Sequence, residues 1–229
     1  MSTSVDSARL DEESKGILRR IVERTAYRQL MAANIRGHGL KYIAEIDEKQ
    51  QLAYDIDAAL SAAEPIEELY TKIGGIQLAF AVRELMERIP YPYSQFELAV
   101  CLALVDRTER LVAESYVESK SSEMASIARS LLDLDRAGSR KLEEHLAEFC
   151  AEPGNRPTAQ QFLNRWLAIA IVAFGRPNSP GDQRAVALGL RSRGAGAMVK
   201  RFLDELKPFV ESLGLTIPAP DSLGVELKK

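Results

Sequence analysis

A chain of 229 residues can bury one sizeable hydrophobic core, and 46% hydrophobic with 28% charged residues is typical of a globular protein rather than a long disordered one. The net charge of −3 argues against a nucleic-acid-binding surface, so no nucleic-acid partner is expected. No apolar run reaches the roughly 18 residues of a membrane span, and no secretory pattern precedes the first helix, so we expect a cytoplasmic protein without a membrane partner.

The amino-terminal part of the chain combines a polar segment with a first helix. Residues 1–14 lack a clear pattern and are interpreted as a mobile tail ahead of a single domain over residues 15–229. Apolar residues at helical spacing predict a helix from Lys15 to about Asn34. The glycines on both sides of His38 are expected to break or kink that helix, because glycine disfavours helix interiors. His38 itself is assigned a hydrogen-bonding or helix-breaking role.

Three further helices are predicted before the middle of the chain. Their apolar residues again recur at helical spacing, and glycine or proline marks the ends. The predicted spans are 42–63, 64–72 and 76–89, with stops at Gly74-Gly75 and at Pro90 and Pro92. Most carboxylates in these spans are assigned to the solvent-facing side of their helices.

The stretch from Phe96 to Tyr116 is predicted to be a central helix, because its apolar run leaves almost no polar face. Asp106 ends that run, and an ionised carboxylate is costly to bury unless a cation, a metal or several donors meet it. Two interpretations stay open. Asp106 either marks where the helix emerges and pairs with Arg107 or Arg110, or it points into a helical bundle where a metal sits or once sat.

The carboxyl-terminal half adds helices over residues 124–149, 158–174 and 198–213, a loop over 175–182 and an extended tail over 215–221. The cysteines, Cys101 and Cys150, lack the spacing of a metal knuckle and are predicted to be reduced, buried thiols. No alternation of period two extends beyond a few residues. The domain is therefore predicted to be an all-α bundle of antiparallel helices.

Short motifs in the carboxyl-terminal third follow a distinctive order. They are Asn164-Arg165-Trp166, Ala173-Phe174-Gly175, Asn178-Ser179-Pro180, Lys200-Arg201-Phe202 and the stretch from Val210 to Asp221. This segment resembles the end of the catalytic subunit of ring-1,2-phenylacetyl-CoA epoxidase, in the phenylacetic acid catabolic protein family. Ile73-Gly74-Gly75 and Leu104-Val105-Asp106 match upstream in pattern only. The resemblance implies a ferritin-like bundle with additional carboxyl-terminal helices and a relation to multicomponent diiron oxygenases of phenylacetate catabolism.

Most of the diiron ligands that the resemblance implies are absent. A ferritin-like site takes a carboxylate from each of two helices and a Glu-x-x-His pair from each of two others, since positions i and i+3 share a helix face. No Glu-x-x-His occurs here, and the matching positions fall near Ala59 and Ala62 and near Asp135 and Gly138. Asp106, which matches the family's carboxylate on the third helix, and Asp135 keep suitable chemistry, so both are predicted to be vestigial metal ligands.

Other metal sites are weaker candidates. An all-oxygen site would suit a hard cation rather than oxygen-activating iron, and its candidate ligands are Asp55, Asp57, Asp106, Asp133 and Asp135. His145 follows Glu143 and Glu144 directly, and neighbours on a helix point about 100° apart, which cannot form a facial ligand set. His145 is therefore interpreted as a surface residue.

A basic group near the carboxyl terminus is the candidate anion site. Arg191, Arg193, Lys200 and Arg201 are candidate contacts for a CoA phosphate or for the acidic surface of a partner, with a solvated face as the alternative. The sequence has no phosphate-binding loop of P-loop spacing and no Gly-x-Ser-x-Gly nucleophile elbow.

These observations predict a phenylacetyl-CoA epoxidase-like protein that lacks most diiron ligands and acts without catalysis, by association with itself as a homo-oligomer or with a ferritin-like partner subunit. No cofactor is expected, and small residues such as Ala59, Ala62 and Ala137 are expected to fill the space of the metal. One alternative is a monooxygenase that uses iron with an unconventional ligand set on an aromatic acyl-CoA. Another is a metal-free module that binds an acyl-CoA.

Overall fold

Helices make up nearly all of the regular structure in residues 4–219, the residues that the computed structural model describes. The α-helices are α1 (Glu12–Gly39), α2 (Ile46–Ser61), α3 (Glu64–Lys72), α4 (Leu78–Met86), α5 (Gln95–Glu114), α6 (Ser122–Leu132), α7 (Ala137–Ala151), α8 (Arg156–Ala173), α9 (Pro180–Ala187) and α10 (Ala195–Ser212). No strand is present in this part of the chain, where the only β-pairing is one isolated bridge between Val5 and Ser121. The prediction of an all-α bundle is confirmed.

Four helices form the bundle around which the others are arranged. Helix α1 packs against α2, α2 against α7, α7 against α5, and α5 against α1, which closes a ring of four. A long connection through α3 and α4 separates the first helix pair from the second. Helices α8 and α10 cover α5 from outside the ring, so the centre of the molecule lies along α5.

Helix α5 is buried along its first half, as its apolar run predicts. Every residue from Leu98 to Val105 is buried. Ser94 caps the helix by accepting a hydrogen bond from the Glu97 backbone N–H at 3.1 Å. Complete burial of a leucine or valine side chain contributes about 1.5–3 kcal/mol, so this segment supplies a large share of the folding free energy.

Helix α1 includes Gly37 and ends at Gly39, where a 3-10 turn over Leu40–Tyr42 follows. A β-carbon at position 39 would overlap the side chain of Leu98 on α5, so the glycine permits close packing of two helices. His38 makes aromatic contacts, with its ring stacked on Tyr91 at a centroid distance of 4.5 Å and edge-on to Tyr42 at 5.9 Å. The α-helix therefore ends within the segment that was expected to break it, beyond the predicted end near Asn34.

The long helix predicted over residues 124–149 is two helices, α6 and α7, separated by residues 133–136. The apolar stripe runs across the break, so the spacing of the apolar residues did not indicate that the helix ends there. The break places Arg136 and the first turn of α7 beside buried carboxylates of α2 and α5, as described below.

Part of the segment interpreted as a mobile tail is hydrogen-bonded to residues beside and within α6. The Val5 backbone N–H donates to the Lys120 carbonyl at 2.8 Å, and the Ser7 N–H donates to the Glu123 carboxylate at 3.0 Å. Helix α1 begins at Glu12 with Asp11 as its cap.

The carboxyl-terminal region contains one helix that was not predicted. Helix α9 starts at Pro180 inside the expected loop, where Ser179 accepts a hydrogen bond from the Asp182 N–H at 3.3 Å. Residues 215–219 carry no helix, and residues 220 and 221 of the predicted tail lie outside the described residues. Within residues 4–219, none of the helices combines the length and apolar character that crossing a membrane requires.

Candidate functional site

A cluster of buried charges lies at the centre of the four-helix bundle. Each of the four helices contributes one residue: Arg36 from α1, Asp55 from α2, Asp106 from α5 and Ser139 from α7. Arg36 is 1% exposed and Asp55 is 5% exposed. Helical bundles in general build ligand and metal sites from inward-pointing side chains of facing helices.

The guanidinium of Arg36 joins the side chains of this cluster. Its Nη2 donates to Oδ1 of Asp106 in an ion pair and to Oγ of Ser139 at 3.3 Å, while Nε lies 3.9 Å from Oδ2 of Asp55. Burial alone would lower the pKa of Arg36, but the negative charges of Asp106, Glu109 and Asp55 raise it above its ordinary value. Arg36 therefore supplies a permanent positive charge at the centre of the bundle.

Asp55 also completes the start of helix α7. That helix has no side-chain cap of its own, and Oδ2 of Asp55 accepts a hydrogen bond from the Ser139 backbone N–H at 3.1 Å. A carboxylate at a helix amino terminus is favoured by the unpaired N–H groups and by the helix dipole. Burial raises the pKa of Asp55, although Arg36 and the Ser139 N–H oppose that rise.

Arg136 extends the cluster towards one side of α5. Its Nε lies 3.2 Å from Oδ1 of Asp106, and its Nη2 donates to Oε2 of Glu109 at 2.9 Å. The other carboxylate oxygen of Glu109, Oε1, is buried without a hydrogen-bond partner. Burial raises the pKa of Glu109 despite the opposing charges of Arg136 and Arg36.

The two predicted metal ligands lie in different environments. Asp106 faces two guanidinium groups, while Asp135 is 73% exposed in its side chain and pairs with Arg140 at 2.7 Å. No group of three or more histidine, cysteine, aspartate or glutamate side chains in residues 4–219 could hold a metal ion. The residues at this position do not fit a diiron centre, because the carboxylates are already held by arginines.

Asp106 does point into the bundle, but its partners are not those that sequence proximity suggested. Arg107 pairs with Glu143 at 2.6 Å, and Arg110 pairs with Glu114 at 2.6 Å. The side chain of Arg36 lies at this centre. Of the alanines expected to fill it, Ala59 is buried, and Ala62 and Ala137 are partly buried.

His145, interpreted as a surface residue, is partly buried at the α2–α7 contact. Its Nε2 lies 2.8 Å from Oε1 of Glu48, and this hydrogen bond is the main reason that the pKa of His145 is raised above 6.5. The prediction for the cysteines is confirmed, because Cys101 and Cys150 are both free and buried.

The predicted anion contacts do not converge on one open site. Arg191 is buried and forms an ion pair with Asp182, Arg201 pairs with Glu114 at 2.7 Å, and Arg193 approaches the same carboxylate at 4.0 Å. Lys200 is exposed on α10. The three arginines of this group therefore lie beside carboxylates of the same chain rather than around a space for an external anion.

A mostly apolar cavity of about 620 Å³ opens between α1, α4, α5 and α8. Its apolar wall includes Met31, Ile35, Leu104, Val105, Trp166 and Ile169. Glu109 and Thr108 contribute polar groups from α5, and arginines line it from several sides. A concave apolar space with a few polar groups is typical of a small-molecule site.

Arg28 lines this cavity and also a second, smaller cavity of about 270 Å³. Arg28 is 6% exposed, and its Nη2 donates to the Ala173 carbonyl at 2.7 Å, while Nε and Nη1 have no hydrogen-bond partner within residues 4–219. Burial lowers the pKa of Arg28. Arg28 is thus a buried cation without a carboxylate partner among the described residues.

Arg28 and its basic neighbours on α1 were not predicted as functional residues, although the sequence contains a signal for them. Arg20, Arg24 and Arg28 recur at intervals of four along α1, which places them on one side of the helix, and all three line the smaller cavity. The spacing of these arginines predicts a basic stripe along α1.

Comparison with known proteins gives no assignment: no protein-family model matches the chain, and no curated protein matches it significantly.

Proposed function

We propose that the chain is a metal-free, non-catalytic relative of the ferritin-like oxygenases of the phenylacetic acid catabolic family. The observation that carries this proposal is the position of Arg36. Its guanidinium lies among carboxylates from two other helices of the bundle, where a cation is needed and a metal ion would otherwise be the candidate. A fixed organic cation neutralises these carboxylates but offers neither redox chemistry nor an open coordination position.

The iron-dependent monooxygenase alternative receives less support. Its ligand set would have to include Asp106, which two arginines already hold, and Asp135, which lies on the surface in an ion pair. A divalent ion at Asp106 would be repelled by the guanidinium of Arg36 at short range.

Metal content of the purified protein tests the proposal. The protein is incubated with ferrous iron without oxygen, or with manganese, and is then freed of unbound metal and measured by elemental analysis. The same measurement is made on Asp106→Ala, which removes the carboxylate in the central cluster, and on Asp135→Ala, which removes the exposed one. We expect no stoichiometric metal in any sample, whereas about two metals per chain that are lost only in Asp106→Ala would overturn the proposal.

Two non-catalytic roles are compatible with such a protein. The first is association with a second copy or with a ferritin-like partner subunit, which is favoured by large exposed apolar side chains: Ile46, Tyr54, Ile76 and Phe80 are 73–92% exposed. Sedimentation of the protein at micromolar concentration, with Phe80→Glu as the comparison, tests self-association. We expect an oligomer that the substitution weakens, and a monomer at every concentration would exclude self-association.

The second role is that of an acyl-CoA-binding module, which is favoured by the cavity of about 620 Å³ beside the charge cluster. Phenylacetyl-CoA at saturating concentration is expected to raise the thermal unfolding midpoint of metal-free protein. If the midpoint stays unchanged, this role is excluded.

A further inference from the structure

Arg28 is the most unusual charged group in the described part of the chain. A buried guanidinium is normally paired, because removing an ion from water is costly unless opposite charge and hydrogen bonds replace the water. Within the described residues, Arg28 makes one hydrogen bond, to the Ala173 carbonyl at the carboxyl end of α8, and its other two nitrogens have no partner there. The Arg28 side chain lines two cavities, although Nε and Nη1 are themselves buried.

The smaller cavity concentrates positive charge in a protein whose net charge is −3. Its lining includes Arg20, Arg24, Arg28, Arg176 and Arg191. Asp182, the acidic residue in the same wall, is held by Arg191 and by the Ala195 N–H at the start of α10, at 3.1 Å. The other arginines of this cavity form no ion pair within residues 4–219, so the pocket favours an anion.

The larger cavity meets the smaller one at Arg24, Arg28, Gly175 and Arg176, which line both. The larger cavity has one acidic residue in its wall, Glu109. Arg136 donates to its Oε2 at 2.9 Å, while its Oε1 is buried without a hydrogen-bond partner among residues 4–219. Its volume lies within the range of small-molecule sites, roughly 300–1,000 Å³. The two spaces therefore offer an apolar chamber and a basic chamber that share a buried arginine.

We propose that these cavities bind one amphipathic organic anion, with its apolar body between α1, α5 and α8 and its carboxylate or phosphate head on the guanidinium of Arg28. Arg24 and Arg176 lie exposed at the junction and attract the head from solvent. The head completes the hydrogen bonds of Arg28 and replaces the missing carboxylate, and the fork of an arginine matches either kind of head. This inference deepens the ligand-binding form of the proposed function by naming the ligand class and the residue that selects it.

Direct binding measurements with simple amphiphiles test the inference. Laurate and dodecyl phosphate, each below its critical micelle concentration, are titrated into the full chain by calorimetry, with thermal unfolding as the second readout. Dodecanol and dodecyltrimethylammonium serve as neutral and cationic probes with the same apolar body, and inorganic phosphate as a head without a body. We expect the two anions to bind and to raise the unfolding midpoint, with the other probes binding at least tenfold more weakly.

Two substitutions separate the head contact from the apolar contact. Arg28→Met keeps much of the side-chain volume and is expected to weaken binding of the anions at least tenfold, with little change for dodecanol. Ala170→Phe narrows the apolar chamber and is expected to weaken binding of every probe that has a dodecyl body. Arg193→Gln removes one positive charge outside both cavities and is the matched control, with affinity expected to stay within about twofold of the parent.

Several results would overturn the inference. It fails if the cationic probe binds as tightly as the anions, if Arg28→Met binds the anions as the parent does, or if no amphiphile binds. Should Arg28→Met fail to fold, the comparison of probes on the parent and on Ala170→Phe still decides. Binding of laurate alone or of dodecyl phosphate alone identifies the head. Binding of phenylacetyl-CoA without binding of either simple anion would support the acyl-CoA role and reject this inference. Metal content is measured on the same sample, so that failure of the metal-free proposal is recognised separately.

Discussion

Arg28 and Arg36 lie about two turns apart on α1 and are both buried, yet their surroundings are opposite. Arg36 is held by Asp106 and Ser139 and lies near Asp55, and the carboxylates raise its pKa. Arg28 has one backbone carbonyl as its partner, and burial lowers its pKa. Helix α1 thus carries two buried cations: Arg36, whose carboxylate partners lie within the protein, and Arg28, for which we propose a bound anion as the partner.

The difference shows how one residue type can serve stability at one position and recognition at another. The ion pair of Arg36 with Asp106 joins α1 to α5, although Nε of Arg36 has no hydrogen-bond partner among residues 4–219. Removing one member of a buried ion pair leaves an uncompensated charge. An unsatisfied buried cation weakens the free protein but is ready for an anion, because its desolvation has already occurred. We therefore expect substitutions at the two arginines to have different effects on folding and on binding.

The largest expected effect is that of Arg36→Met. The substitution keeps a similar volume but leaves Asp55 and Asp106 without their central cation, so the free energy of unfolding should fall by about 3–5 kcal/mol. Urea unfolding at neutral pH measures the loss. Arg193→Met at the surface is the control and should change stability by less than about 0.5 kcal/mol. A loss below about 1 kcal/mol for Arg36→Met would mean that the cluster contributes little.

The second largest expected effect on the free energy of unfolding is at Gly138, where α7 lies close to Leu52 and Asp55 of α2. A β-carbon at Gly138 would lie 2.8 Å from the backbone of Leu52 and 3.1 Å from Oδ2 of Asp55, so Gly138→Ala should cost about 1–3 kcal/mol by pushing α2 and α7 apart. Gly37→Ala is the matched control, since no atom lies within 4 Å of its added carbon, and it should stabilise α1 by about 0.5–1 kcal/mol. Unfolding midpoints in urea compare the two variants, and equal signs would contradict the packing argument.

Arg28→Met should change the stability of the free protein by no more than about 1 kcal/mol. The hydrogen bond to the Ala173 carbonyl is lost, but so is the cost of a buried unpaired cation, and the two effects oppose each other. The same urea experiment provides the measurement. A loss as large as that of Arg36→Met would remove the contrast between the two arginines.

The smallest effect is a pH dependence at the edge of the same helix pair. The hydrogen bond to Glu48 raises the pKa of His145 above 6.5, so this contact stabilises the protein fully below pH 6.5 and its contribution is lost as pH rises through the folded-state pKa. His145→Gln should reduce stability by less than about 1 kcal/mol at pH 6 and have little effect at pH 9. Unfolding at both pH values measures this, and Glu48→Gln should reproduce it. An equal loss at both pH values would assign the effect to packing.

The sequence was sufficient for the class of the fold and for the central helix. The run from Leu98 to Val105 is apolar on every side of the helix and has no polar face to turn towards solvent, so its burial follows from composition alone. The break between α6 and α7 was missed because the apolar stripe continues across it, and its cause lies in Asp55 on another helix. Likewise, Gly39 stays helical because Leu98 packs against it. Such tertiary contacts have no local signature.

The candidate site was predicted in part. Asp106 was identified because a carboxylate beside an apolar run needs a partner, but Arg36, separated from it by 70 positions, could not be recognised as that partner from local patterns. Asp135 was selected by spacing from a family resemblance and lies at the surface. The basic stripe of α1 was available from spacing but was not sought among charged residues.

A double-mutant cycle between Arg36 and Asp106 tests the central claim most directly. The free energy of unfolding is measured in urea for the parent, Arg36→Met, Asp106→Leu and the double variant. If the two side chains form an internal ion pair that replaces a metal, the double variant should recover part of the loss, with a coupling energy of about 2–3 kcal/mol. Effects that add to within about 0.5 kcal/mol would contradict the account and leave Asp106 free for another partner.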